Sequence, residues 1–451
     1  MMVTVIIPIV LLLVIILVPA IPKIGGEVRI GLLVAGVSAA FLGGLGAADT
    51  VSAAISGIDK LAWVIMLSIF GSLYAESQVK LGTMDTVLNT FRSLFGNSSK
   101  GLIASIIFTL VLAGSLLGDA IAAATVIGFL VVSSLRDLRL NGEQISLIIL
   151  MGAVIGSVMP PISQAIFLSS SLIGINPEPV LKVGYVTVGL GVVVAVITGV
   201  RLVNMKKIPE ALLPKQTFKQ ILSSHWYTLV PLALLVVIVV ASSGFGFNIF
   251  ERWTPFVRLS RLLNQYPIIQ GITFPVVLAI IVALAVSFLF PRVRREAVPI
   301  FIGGLRKVNK TVQIQLCAGI MIGIFYEAGL IEMVKAFAES LEPTAMKWGG
   351  GFATILVGML TGSQTTAQTV IVTFLGPVLM NLGVEPVNTA LGAAHLAMAG
   401  QSMPPVGLTT FVIVGIVGGI MNEKVDPVKV MILALPLTVY FAISGFIAWF
   451  I

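Results

Sequence analysis

The sequence is poor in charge. Of its 451 residues, 10% are Asp, Glu, Lys or Arg, and 57% are hydrophobic. Soluble domains usually carry about 25% charged residues, so this chain has too few of them to cover its surface in water. Its uncharged tracts, such as residues 262–291, 348–384 and 386–422, all exceed the ~20 residues with which a helix crosses a bilayer. The composition excludes a soluble enzyme and predicts an all-α polytopic membrane protein.

Cysteine and the common catalytic motifs are also lacking. The single cysteine, Cys317, excludes an intrachain disulfide and a thiolate metal cluster. The sequence has no H-E-x-x-H, P-loop or G-x-S-x-G motif, and no loop is long enough for a nucleotide-binding domain. An aspartyl protease in the membrane would need a second carboxylate facing Asp119, and neither Glu76 nor Glu327 is an obvious partner. We therefore expect no enzyme activity.

A basic pI near 9.6 does not indicate nucleic acid as a partner. The Lys and Arg residues collect in loops between apolar spans, which is typical of membrane orientation. The two most basic segments, 201–219 and 292–310, are predicted to be cytoplasmic. The first contains Arg201, Lys206, Lys207, Lys215 and Lys219, and the second contains Arg292, Arg294, Arg295, Arg306, Lys307 and Lys310. In this orientation the N-terminus and the stretch 251–261 lie outside. The three arginines of that stretch disagree with the preference of basic residues for the cytoplasmic side.

The chain can be aligned with itself at an offset of 244 residues. The coinciding residues are Gly114, Gly118, Gly156 and Met159-Pro160-Pro161, which fall on Gly358, Gly362, Gly400 and Met403-Pro404-Pro405. Glycines and a Met-Pro-Pro triplet that coincide in one register predict a structural repeat. The predicted parts are scaffold spans at 1–60, repeat 1 at 61–200, central scaffold spans with the basic loops at 201–312, and repeat 2 at 313–451.

Each repeat contains two unusual segments. Residues 101–135 and 350–380 have polar residues at the middle of an apolar tract, with arms that look too short to cross a bilayer, and they are predicted to be re-entrant hairpins. Residues 144–173 and 388–420 are predicted to be broken helices, because adjacent prolines remove two backbone donors and disfavour helix at the preceding residue. The first hairpin is expected to enter from the cytoplasm and the second from outside, so the repeats have inverted topology.

Paired breaks beside polar tips offer groups for ions of both signs. Freed carbonyls suit a hard cation such as Na⁺, while helix N-termini suit an anion. The predicted cation ligands are Gly118, Asp119, Gly156, Ser157, Pro160, Gly362, Gly400, Gln401, Ser402 and Pro404. The predicted substrate-binding residues are Ser163, Gln164, Ser363, Gln364, Thr365, Thr366, Thr409 and Thr410. A packing kink at each Pro-Pro, and Ser or Thr that pack helix on helix, are the alternatives.

Ionisable side chains at membrane depth are functional candidates by default. Asp119, at the first tip, is predicted to be a cation ligand or proton carrier, or else a carboxylate that caps a helix. His395 is predicted to be either a coupling residue or a buried neutral histidine bonded to a neighbour. Glu76 and Glu327 are expected near span ends in structural roles.

The run Gln-Ser-Met-Pro-Pro-Val-Gly-Leu-Thr-Thr-Phe at 401–411, together with Pro160-Pro161, resembles the large membrane subunit of TRAP transporters. More broadly it resembles the ion-transporter superfamily, which includes dicarboxylate/sodium symporters and gluconate permeases. The resemblance implies an elevator, in which hairpins and broken helices slide against a scaffold. It also implies sodium-coupled uptake of C4-dicarboxylates or sugar acids across the inner membrane. Asp119 departs from the small or hydroxyl residues usual in relatives, and we expect no fused small subunit.

We expect a secondary active transporter, driven by Na⁺ or H⁺, that imports a small organic anion. Its expected partners are the lipid bilayer and either a second copy in a homodimer or a small membrane subunit with a soluble binding protein. A TRAP-type large subunit, a stand-alone symporter and a passive anion channel remain open.

Overall fold

The computed structural model describes residues 2–18, 20–203, 205, 208–333 and 342–451, and within them the protein is helical without a strand. The predicted all-α class is therefore confirmed. Lys206 and Lys207 of the first basic segment lie outside the described residues.

The first part of the chain forms ten helices in the described residues. Their bounds are Met2–Leu17, Val28–Leu42, Ala47–Lys60, Ala62–Leu81, Thr83–Phe95, Ser99–Leu117, Ala120–Asp137, Gly142–Val158, Gln164–Leu172 and Pro177–Arg201. The middle of the chain contains Phe218–Phe245, Ile249–Arg252, Thr254–Leu263, Pro275–Ser287 and Pro291–Arg295, with 3₁₀ turns at Glu210–Leu212 and Ile269–Thr273.

The last part begins with the longest described helix, Ala297–Glu327. It continues with Pro343–Thr361, Gln364–Ala367, a π-helical turn at Gln368–Val372, and Thr373–Asn381. The remaining helices are Pro386–Gln401, Leu408–Met421, Pro427–Leu433 and Leu435–Phe450.

Five of the described helices are long and apolar enough to cross a membrane, and the number rises to seven if each of two bent pairs is counted as one span. The five are Ser99–Leu117, Ala120–Asp137, Pro177–Arg201, Phe218–Ser242 and Ala297–Glu327. The bent pairs are Ala47–Lys60 with Ala62–Leu81, at 53°, and Pro427–Leu433 with Leu435–Phe450, at 55°. The apolar helices support a multi-pass membrane protein.

Helices break where the sequence analysis places the hairpin tips and the prolines. The first hairpin consists of Ser99–Leu117 and Ala120–Asp137, and the first broken helix of Gly142–Val158 and Gln164–Leu172. The second hairpin runs from Pro343 to Asn381 around Gly362, and the second broken helix consists of Pro386–Gln401 and Leu408–Met421. Both Pro-Pro bonds, at Pro160-Pro161 and Pro404-Pro405, are cis.

The arms of the first hairpin are longer than expected. They have 19 and 18 residues, or roughly 27 Å at 1.5 Å per residue, which is nearly the thickness of a bilayer core. Arm length alone therefore does not make the hairpin re-entrant. The re-entrant character comes instead from the position of the tip. The first arm runs parallel to Gly142–Val158, so the tip lies level with the break. The broken helix continues past the break for another 9 residues.

The second basic segment, 292–310, is not a loop. Its loop-like part is short, and Arg306, Lys307 and Lys310 lie on helix Ala297–Glu327, which also continues through the predicted boundary at 312. Lys and Arg are good helix formers, and the helix fits tightly against Ala62–Leu81. Ser72 Oγ donates to the carbonyl of Gly304 at 2.8 Å, and a Cβ at Gly304 would lie 2.8 Å from Leu73 Cδ2. We call Ala62–Leu81 and Ala297–Glu327 the wall helices.

Candidate functional site

The two hairpin tips have the same backbone geometry. Gly118 and Gly362 both adopt φ +64°, a left-handed conformation that glycine accepts without strain, and each ends the first arm of its hairpin. The next residue then caps the second arm. Asp119 Oδ1 accepts a hydrogen bond from the backbone N–H of Ala122 at 2.7 Å, and Ser363 Oγ accepts one from Thr366 at 3.2 Å. Sequence positions 244 apart thus perform the same local task.

Each tip is seated against a broken helix by a pair of glycines. A Cβ at Gly114 would lie 2.7 Å from the Cα of Gly156, and a Cβ at Gly358 would lie 3.0 Å from the Cα of Gly400. Real Cβ atoms essentially never come as close as the contact at Gly114, and the contact at Gly358 is tighter than nine in ten real ones, so glycine lets both pairs of backbones pack closely. The predicted ligand glycines Gly156 and Gly400 therefore act first as packing residues that hold the tips level with the breaks.

Gln364 joins the second tip to both broken helices. Its side-chain Nε2 donates to Ser157 Oγ at 3.1 Å, and its backbone N–H donates to Gln401 Oε1 at 3.3 Å. Ser157 is the second-last residue in the first half of the first broken helix, and Gln401 is the last residue in the first half of the second. Residues from three predicted segments, separated by 207 and 37 positions in sequence, thus meet at one point.

Polar atoms around this point are buried without a hydrogen-bond partner among the described residues. They are Oε1 of Gln364, both ends of the Gln368 amide, Nε2 of Gln401, Oγ of Ser402 and Oγ1 of Thr410. Buried polar groups are nearly always satisfied in folded proteins, so such a cluster indicates that water, an ion or a ligand completes it. Acceptors and donors are both present, which suits a carboxylate as well as a cation with its waters.

A cavity of about 340 Å³ lies beside the first tip, and we call it the tip cavity. One side is formed by the first hairpin and first broken helix, including Asp119 and Gln164. The other side is formed by the wall helices. The volume lies at the lower end of the roughly 300–1,000 Å³ range of small-molecule sites. The cavity is therefore large enough for a small solute.

The wall helices contribute an ion pair to the tip cavity. Lys307 Nζ contacts Glu76 Oε1, and both residues line the cavity. The Glu76 side chain is 13% exposed, whereas that of Lys307 is 54% exposed. Lys307 is the one cation among the described residues that line this cavity, facing two carboxylates, Glu76 and Asp119.

The remaining predicted residues differ in their positions. Ser163 is fully buried and caps Gln164–Leu172 by accepting from the backbone N–H of Ile166 at 3.2 Å. Thr366 Oγ1 donates to Ser363 Oγ at 3.1 Å, within the second tip. Pro160 and Thr409 are buried, while Thr365 and Pro404 are half-buried.

The side-chain contacts of His395 are with residues outside the hairpin tips. Its Nδ1 lies 3.0 Å from Ser444 Oγ, its Nε2 lies 3.4 Å from Thr187 Oγ1, and its ring packs edge-on against Phe441. Both ring nitrogens thus have hydroxyl partners on other helices. These contacts favour the buried neutral histidine of the two alternatives.

Two features of the site were not found by sequence reasoning. The distribution of charge predicts a loop around Lys307, whereas the structure pairs this lysine with Glu76, 231 positions away. Gln368 is not among the predicted residues, although it follows Gln364 by four residues and so lies one helical turn further along. The π-helical turn that begins at Gln368 has no local sequence signature, and such turns are frequent at functional sites.

A family model described as "Tripartite ATP-independent periplasmic transporter, DctM component" matches residues 15–448. Among solved structures, the chain is similar to the "Crystal structure of the Alcanivorax borkumensis YdaH transporter", with a TM-score of 0.62 at 13% identity. The similarity covers 89% of this chain and 86% of that one, and at this identity it concerns the fold alone. No curated protein matches the chain.

Proposed function

The chain belongs to the family of DctM components of tripartite ATP-independent periplasmic (TRAP) transporters, and we propose that it carries a small organic anion across the inner membrane as the large subunit of such a transporter. The membership agrees with the resemblance of residues 401–411 and favours the TRAP-type alternative over a stand-alone symporter. The family is one of transporters and not of enzymes.

The observation that carries the proposal is the junction at Gln364. One residue joins both breaks, because its side chain donates to Ser157 and its backbone N–H donates to Gln401, and unsatisfied buried polar atoms surround it. Helix N-termini begin at the second tip and after each break, and each carries a partial positive charge that favours an anion. Amides and hydroxyls then orient the substrate carboxylates. Such a site is neutral in its side chains, so the charge of a bound anion must be balanced by a cation that binds with it.

Asp119 supports coupling to a cation. Its carboxylate lines the tip cavity, where an organic anion would be repelled. Two like charges ~5 Å apart repel by roughly 3 kcal/mol at an effective dielectric constant of about 20. Binding of Na⁺ at Asp119 and the freed carbonyls near Gly118 and Ser157, or protonation of Asp119, would remove this repulsion. The anion then binds well only when the driving cation is bound, which is the requirement for symport.

The arrangement around the tip cavity supports an elevator. The hairpins and broken helices would move, while the wall helices stay with the scaffold. At one end of the wall, Lys80 pairs with Glu296 at 3.0 Å, next to the arginines of Pro291–Arg295. By the positive-inside rule this end is cytoplasmic. At the other end, Trp63 packs on Phe167 of the first broken helix, with ring centroids 5.6 Å apart, and this contact brings the first broken helix against the wall on the outer side.

A small membrane subunit and a soluble binding protein are the partners that this function requires. We would co-purify the chain with both, reconstitute the complex into liposomes, and follow labelled succinate and gluconate with and without a Na⁺ gradient. Accumulation above equilibrium that needs the gradient supports the proposal. Uptake that stops at equilibrium, with rates far above those of a carrier, would instead identify a passive channel.

A further inference from the structure

We propose that Lys307 binds a carboxylate of the transported anion on the cytoplasmic side and that Glu76 occupies this lysine when the anion is absent. The inference rests on the proposed function and extends it to the scaffold. It assigns a substrate contact to the wall helices, in addition to the contacts of the hairpin tips.

The geometry makes Lys307 the accessible partner of the ion pair. Glu76 is largely buried, and its Oε2 lies over Gly303, where a Cβ would approach it to 3.3 Å. Glycine at 303 therefore leaves the space that the carboxylate occupies. The Lys307 side chain is more than half exposed and lines the tip cavity. An anion in the cavity can reach the ammonium group without displacing Glu76 from its seat.

The charges of the tip cavity give this lysine a specific task. Without it, the described lining would present two carboxylates and no cation, and a carboxylate substrate would meet only like charge. With it, the wall opposite Asp119 and Gln164 offers three N–H donors to an anion. A flexible lysine can exchange one carboxylate for another, because its compact charge sits on a four-carbon chain.

The contact is confined to one side of the membrane because Lys307 does not travel with the tips. Two hydrogen bonds hold the wall helices together near the ion pair. Ser72 Oγ donates to the Gly304 carbonyl at 2.8 Å, and Gln315 Nε2 donates to Ser68 Oγ at 2.9 Å. Lys307 also lies near the end of the wall that carries the basic residues. It thus meets the substrate when the tips face the cytoplasm and loses it when they move outward.

The test compares Lys307→Gln with Arg306→Gln, a neighbouring cation on the same helix that does not line the tip cavity. Exchange of labelled succinate is measured in liposomes with the complete transporter, varying succinate inside and outside separately. We expect Lys307→Gln to raise the half-saturating internal concentration at least about tenfold and the external one less than twofold, whereas Arg306→Gln changes neither. Lys307→Arg should keep most of the internal affinity. Glu76→Gln should lower the half-saturating internal concentration, because no carboxylate then competes with succinate for Lys307.

Equal internal affinity in Lys307→Gln and Arg306→Gln would overturn the inference, as would an equal loss on both sides of the membrane. If Lys307→Gln fails to fold, Glu76→Gln decides, because it leaves Lys307 without its resting carboxylate partner; a half-saturating internal concentration that is unchanged or raised in Glu76→Gln would overturn the inference. No exchange by the wild-type transporter would overturn the proposed function itself, and the inference with it.

Discussion

The glycine pairs that seat the hairpin tips allow a sharp prediction. In Gly114→Ala, the new Cβ would lie 2.7 Å from the Cα of Gly156. Carbon atoms prefer separations of about 3.5–4.0 Å, so the two backbones must part by roughly 1 Å. The Cβ is fixed to its own backbone and its neighbour is a main-chain atom of a packed helix, so neither can turn away. The tip, one turn beyond Gly114, must shift by a similar distance.

The expected magnitude follows from a comparison with glycines that have room. Gly189 and Gly415 also lie inside helices, and a Cβ at either would meet nothing within 4 Å. Alanine at these positions should stabilise the protein by about 0.5–1 kcal/mol through reduced chain entropy. Overpacking costs about 1–3 kcal/mol, so Gly114→Ala should be less stable than Gly189→Ala by about that amount. Gly358→Ala, with a closest approach of 3.0 Å, should lose less.

Two measurements check this prediction. Thermal unfolding in detergent gives the order of stability of the four variants. Gradient-driven uptake gives the effect on the site, where displacement of a positioned group by about 1 Å can cost roughly a hundredfold in rate. Uptake and stability in Gly114→Ala that match those in Gly189→Ala would refute the reasoning, because the predicted backbone contact would then be absent.

Three further predictions concern the site itself. Asp119→Asn keeps a good helix cap but removes the charge. It should change the free energy of unfolding by less than about 1 kcal/mol and abolish the dependence of uptake on the ion gradient. Asp426→Asn, at the cap of another helix, should leave transport unchanged. Gln364→Leu removes the side-chain link to Ser157 and leaves the backbone link to Gln401, and it should lower uptake at least about tenfold. The control is Gln265→Leu at an exposed position, and equal uptake by the two variants would argue against the junction. His395→Gln should lower the free energy of unfolding by about 1–3 kcal/mol without changing which cation drives uptake. A change in the driving cation would instead indicate that His395 is a coupling residue.

Much of the fold could be predicted because its signals are local. Pro160-Pro161 and Pro404-Pro405 interrupt helices wherever they occur, since proline has no N–H to donate. Gly118 and Gly362 mark the tips because they end helices in a left-handed conformation. The offset of 244 then relates the two halves. The length of the hairpin arms is not predicted correctly, because the limits of an uncharged tract do not mark where its helix begins. Helix Ser99–Leu117 starts two residues before the predicted hairpin.

The sequence by itself determined the membrane class, the repeat, and the places where helices turn or break, because composition and local backbone chemistry decide these. Only the tertiary structure decided which side chains meet. Gln364 reaches Ser157 across 207 positions and Lys307 reaches Glu76 across 231, and a single sequence carries no signal for pairings at such distances. The sequence predicts a loop at Lys307 because a charged residue is excluded from lipid and is therefore expected outside the membrane spans. A cavity accepts the charge on a helix, but this cavity exists only once the hairpin is packed against the wall helices.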